Sequence, residues 1–148
     1  MTKDLGIDPD TFAKQSKLFE LLDAAGRERM MEAAEPVRYE PGQVVVREGE
    51  AGVGMYVITA GRVSVDVEAL EGEKQVATLG PGSVFGEIAV VMEQARQATV
   101  TAEEAVEAWR FDKSAIDSIL ADYPKVREVL ARLGLKRSEL TLEKMLDS

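Results

Sequence analysis

At 148 residues, 45% hydrophobic and 30% charged, the chain has the size of one domain with a core of its own, and its apolar content argues against disorder. It contains no cysteine and no histidine, which removes disulfides, thiolate nucleophiles, zinc fingers and every histidine-based general base; composition leaves open only a carboxylate site for Mg²⁺ or Ca²⁺. The 18 Lys and Arg stand against 27 Asp and Glu, a net charge of −9, so direct DNA binding is not expected. No uncharged run approaches the ~20 apolar residues of a bilayer span. Met1-Thr2-Lys3-Asp4 does not open a secretion signal, so the cytoplasm is the expected location and no membrane contact is expected.

Three zones follow one another. Residues 8–35 read as helical, with Asp8 as N-cap and Pro9 at the first helical position. Leu18, Phe19, Leu21 and Leu22 form one apolar patch, Met30, Met31 and Ala34 another, and Asp23-Ala24-Ala25-Gly26 reads as the break between them. Pro36 closes the zone. Residues 37–111 read as short strands: Val44–Val46, the alternating Val63, Val65 and Val67, Val76 to Leu79, Thr99 to Thr101, and a last run with Val106, Trp109 and Phe111. Nine of the twelve glycines punctuate this zone, which argues for a sandwich or barrel rather than a βαβ sheet. Residues 112–147 read as helical again. Asp112 caps a helix with Ala115, Ile116, Ile119 and Leu120, and Pro124 opens a second with Val126, Val129, Leu130 and Leu133 at helical spacing. After Gly134 the stripe moves to Leu135, Leu142, Met145 and Leu146.

The chemistry is concentrated in Gly80-Pro-Gly-Ser-Val-Phe-Gly-Glu-Ile-Ala89 and Gln94-Ala-Arg-Gln-Ala-Thr-Val-Thr-Ala102. Gly82 and Gly86 permit tight turns that leave amides uncovered. Residues 87–92 fit one short helix whose first amides and dipole suit a phosphate. Arg96 supplies a cation with paired donors, and Glu87 an acceptor for a sugar hydroxyl. The same residues equally fit ordinary glycine turns and a Glu87–Arg96 ion pair on the surface.

Phe85-Gly86-Glu87-Ile88-Ala89 followed by Arg96-x-Ala98-Thr99-Val100 resembles the phosphate-binding cassette of cyclic nucleotide-binding domains, down to the nine-residue step from glutamate to arginine. Pro41-Gly42, Arg47-Glu48-Gly49, Met55 to Ile58 and Gly61 extend the resemblance, which spans roughly residues 15–137. It implies an α+β fold: an antiparallel, jelly-roll-like β roll flanked by N-terminal and C-terminal helices, the chain forming a single such domain. It further implies that Arg96 binds the cyclic phosphate and Glu87 the ribose 2′-hydroxyl, and that the amides of Gly86, Ile88, Ala89 and Ala98 complete these contacts. Val76 and Leu79 would line the base pocket. Leu133, Arg132, Lys136 and Arg137 are the candidates for capping the base. Gln97 departs from the family pattern, in which threonine there goes with cyclic GMP and alanine with cyclic AMP; its amide can donate and accept. Ala95 replaces a proline often found before the arginine.

The function these readings favour is a non-catalytic sensor that binds cyclic AMP or cyclic GMP without a further cofactor and signals to an unidentified effector protein through its C-terminal helices. Alternatives are the effector-binding part of a transcription regulator of the catabolite activator type, without its helix-turn-helix, and a scaffold with a degenerate pocket. No side chains cluster in a catalytic pattern, so an enzyme is not expected. Val126, Leu130, Leu133 and Leu140 resemble a short heptad seam and suggest a homodimer through the C-terminal helix.

Overall fold

The computed structural model describes residues 5–133, the side chain of Ile88 excepted. Asp8 has extended backbone and accepts from the Thr11 amide, so α1 (Pro9–Gln15) starts where the cap and the proline place it. Ser16 then interrupts the helix: it closes α1 and caps α2 (Lys17–Leu21), accepting from the Phe19 amide at 3.1 Å. The next break is narrower than residues 23–26. Asp23 alone is the cap, accepting from the Gly26 amide, and α3 (Ala24–Ala33) begins directly after it.

The strands are β1 (Glu35–Tyr39), β2 (Val44–Val46), β3 (Gly54–Ala60), β4 (Val63–Ala69), β5 (Gly72–Leu79) and β6 (Val84–Phe85); α4 (Glu87–Met92) precedes β7 (Thr99–Ala102) and β8 (Val106–Asp112). Asp112 caps α5 (Lys113–Ala121), and a further helical stretch occupies 124–133. The strands form two antiparallel four-stranded sheets, β1-β8-β3-β6 and β2-β7-β4-β5. The expected antiparallel roll flanked by helices is therefore the observed fold. β1 begins before the expected strand zone, with Pro36 inside it. A proline fits there because β1 is an edge strand, paired with β8 on one side only.

Strand alternation divides the core in two. Met55 and Val57 of β3 join Phe111 of β8 and the helical residues Phe12, Phe19, Met30, Ile116, Leu120 and Leu130 in one cluster. Ile58 of β3 and Val106 and Ala108 of β8 face the other way, into the roll, with Val63, Val100 and Ala102. Trp109 packs on the helical side, and its indole donates to the Leu5 carbonyl at 2.7 Å. Leu130 is buried in this chain's own core and Val126 packs against the same cluster, so these two members of the proposed seam have intramolecular neighbours; Leu140 lies outside the described residues. Among the described residues no helix is long and apolar enough to cross a membrane.

Phe111 is fully buried against the Phe12 ring, which in turn stacks on Phe19. Phe111→Ala is expected to cost about 3–5 kcal/mol in urea denaturation. A loss under about 1 kcal/mol would mean that Phe111 is not packed in the helical core cluster.

Candidate functional site

Gly86 is the pivot of the loop. Its φ of 86° is left-handed, and it caps α4 without a side chain. A Cβ there would lie 2.5 Å from an Arg96 guanidinium nitrogen and 2.8 Å from the Gly54 carbonyl oxygen. The glycine therefore serves both the turn and the close passage of the arginine. Gly52 makes a comparable opening on the other side of α4, since a Cβ there would come within 2.4 Å of the Ala89 Cβ.

Backbone pairing across the loop fixes Arg96. Its amide donates to the Glu50 carbonyl at 2.7 Å, its carbonyl accepts from Gly49 at 2.9 Å, and Ala95 forms an isolated bridge with Ala51. The side chain is 6% exposed and donates to the carbonyl oxygens of Gly54 at 2.6 Å and Gly86 at 3.3 Å. Among the described residues no carboxylate forms an ion pair with it. Burial is the main reason its pKa falls below the usual arginine value. Glu87, 7% exposed, accepts from the Ser16 hydroxyl at 2.7 Å. With both side chains buried, the surface ion pair is not the arrangement that forms.

Glu87 and Arg96 border one cavity of about 280 Å³ inside the roll. Gly86, Ala89, Gln97 and Ala98 border it as well, while Val46, Val65, Ala77, Leu79, Val84, Phe85 and Val100 supply apolar wall and Gln15 reaches it from the end of α1. Of the two residues expected to line the base pocket, Leu79 borders the cavity and Val76 does not; Ala77, which was not expected, borders it as well. The β4–β5 register slips by one residue between Val65 and Asp66, pairing Val65 with Ala77 and Asp66 with Gln75 and passing over Val76. Leu133, half-buried, and Arg132, exposed and paired with Glu128, are also absent from the lining. Lys136 and Arg137 lie outside the described residues, as does the Ile88 side chain. Sequence reasoning missed Gln15, Val65 and Ser16; only Val65, in its strand alternation, carried a sequence signal.

Behind Arg96 the roll is polar. Tyr56 stacks on Phe85 with ring centroids 4.9 Å apart and interacts electrostatically with Arg110 and Tyr39. Burial, and then Tyr56, push the Tyr39 pKa up to about 12.

Gly86→Ala is expected to lower the melting temperature and to displace the Arg96 side chain, because a left-handed φ and two sub-3 Å contacts coincide. An unchanged melting curve would contradict this geometry. For Tyr39, a folded pKa above the unfolded value of 10.0 favours the neutral form in the fold. Its contribution is complete below pH 10 and lost as pH rises toward about 12. Urea melts over that window are expected to show a falling stability whose slope is shallower in Tyr39→Phe; equal slopes would contradict it.

The family model for the cyclic nucleotide-binding domain matches residues 36–123. The chain is 37% identical over 102 residues to the acetyltransferase Pat of Mycolicibacterium smegmatis, covering 69% of this chain and 30% of that protein. It is 27% identical over 139 residues to the CRP-like cAMP-activated global transcriptional regulator of Mycobacterium tuberculosis, covering 93% of this chain and 62% of that one. The solved regulatory domain of Toxoplasma gondii PKA with cAMP superposes with a TM-score of 0.70 at 28% identity, over 82% of this chain and 47% of that chain. The chain thus spans less than two thirds of each of these relatives. With a roll of the same architecture and a family match over more than half its length, the chain belongs to the cyclic nucleotide-binding domain family.

Proposed function

We propose that the chain is a non-catalytic sensor that takes a cyclic mononucleotide, cyclic AMP in the first instance, into the cavity bordered by Glu87 and Arg96. The observation that carries this reading is Arg96: a buried guanidinium held by two backbone carbonyls and without an ion pair among the described residues. A cation removed from water is costly unless an anion meets it, and a cyclic phosphate supplies one charge at the scale of the cavity. Arg96 binds the phosphate oxygens, the amides of Gly86, Ile88, Ala89 and Ala98 add neutral donors, and Glu87 accepts from the ribose 2′-hydroxyl. The base lies against the apolar wall of Val65, Ala77 and Leu79, with Gln97 at its edge. Cyclic AMP is favoured over cyclic GMP because two of the similar proteins are named for it. The arrival of Glu87 and Arg96 at one cavity favours a working site over a degenerate scaffold.

The output is conformational. Ala89 of α4 borders the cavity, and Val90 and Val91 belong to the helical core with Ile116, Leu120 and Leu130. A ligand that moves α4 therefore changes what the helices pack against, which is the differential interaction a two-state switch requires.

Isothermal titration with cyclic AMP and cyclic GMP tests the site. Arg96→Ala is expected to weaken binding at least ~30-fold, the lower end of the about 2–5 kcal/mol lost when one partner of a buried charge pair is removed. A change under threefold would place the ligand elsewhere. Gln97→Ala is expected to change the ratio of the two affinities by about threefold or more, the worth of one hydrogen bond. An unchanged ratio would remove Gln97 from base recognition.

A further inference from the structure

Ser16 stands at an unusual junction. It is fully buried, ends α1, caps α2, and spends its hydroxyl proton on a carboxylate 71 residues away. That carboxylate is Glu87, at the first turn of α4 and on the cavity wall. The neighbouring Gln15 borders the same cavity, so two consecutive residues of the N-terminal helices reach the site.

A glutamate has three side-chain torsions, and a carboxylate accepts in about four directions, so a bond from a ligand hydroxyl is compatible with the one from Ser16. The Ser16 bond goes to Oε2 at 2.7 Å, the length of a strong charge-assisted hydroxyl bond. The donor is itself immobilised, because the Ser16 oxygen also accepts from the Phe19 amide. A fixed donor at a fixed distance restrains Oε2 and so narrows the directions in which the carboxylate presents its remaining acceptors.

We propose that Ser16 is a positioning residue for sugar recognition: by fixing the Glu87 carboxylate it makes the site select a cyclic ribonucleotide over its 2′-deoxy counterpart, and it ties the α1–α2 joint to that choice. The inference rests on the reading of the cavity as a cyclic nucleotide site. It assigns to the N-terminal helices a part in specificity that the loop residues alone do not account for.

The test compares cyclic AMP with 2′-deoxy cyclic AMP by calorimetry in the wild-type chain, Ser16→Ala and Ser16→Thr; cyclic GMP and its 2′-deoxy form replace them if the chain takes guanine. Ser16→Ala is expected to lose about five- to tenfold for the ribonucleotide and less than about twofold for the deoxy form, less than the full worth of one charge-assisted bond because Ser16 acts only through Glu87. Ser16→Thr, which keeps the hydroxyl, is expected to restore the ratio. If Ser16→Ala, which also removes the α2 cap, does not melt cooperatively, Ser16→Cys keeps the volume, weakens the donor and is judged by the same ratio. Equal losses for both ligands, or no loss for either, would overturn the proposal and leave the phosphate site standing. A wild-type chain that does not discriminate the two sugars would also overturn it. A wild-type chain that binds none of these nucleotides would overturn the site reading itself.

Discussion

A guanidinium taken out of water and hydrogen-bonded to two backbone carbonyls, with no ion pair among the described residues, is the constraint around which this domain is arranged. Arg96 cannot shed its proton at any ordinary pH, so its burial has to be supported by geometry rather than by neutralisation. The geometry is backbone throughout: Gly54 and Gly86 present their carbonyls, and Glu50 and Gly49 pin the Arg96 main chain. Two glycines then admit structure that no other residue would admit, Gly86 beside the guanidinium and Gly52 beneath α4. In a chain of net charge −9 this local cation owes nothing to the overall field.

The same loop belongs to two cores at once. α4 turns Gly86, Glu87 and Ala89 toward the cavity and Val90 and Val91 toward the helices. β3 and β8 do likewise by alternation, Ile58 inward and Met55 and Phe111 outward. The helices are held as a set: Tyr123 donates to the Asp23 cap of α3 at 2.6 Å, Arg127 pairs with Asp117 of α5, and Ser16 reaches back to Glu87. Occupancy of the cavity and packing of the helices are thus problems with shared side chains, which is the physical basis for reading the domain as a sensor.

Much of this was legible in the sequence because it is local. Asp8 and Asp112 are caps recognisable from the residues that follow them, and the valines of β4 announce their faces by alternation. The glutamate, the arginine and the glycine before the short helix stand out by their resemblance to a phosphate-binding cassette, and the structure brings all three to one cavity. What escaped is non-local or depends on register. Pro36 marks a helix boundary by rule but sits in an edge strand, which only the pairing partner reveals. Val76 and Leu79 stand three places apart on β5 and so on opposite faces, and it is the pairing of Val65 with Ala77 and of Val63 with Leu79 that shows which face meets the cavity. Ser16 is a common residue in a helical stretch, and its tie to Glu87 exists only once positions 71 apart in the chain have been brought together.

A crystal structure of the chain with cyclic AMP tests the site directly. The cyclic phosphate is expected between Arg96 and the first turn of α4, the ribose 2′-hydroxyl on Glu87, and the base against Val65, Ala77 and Leu79. A nucleotide bound outside this cavity, or within it but with its phosphate away from Arg96, would overturn the assignment of the site.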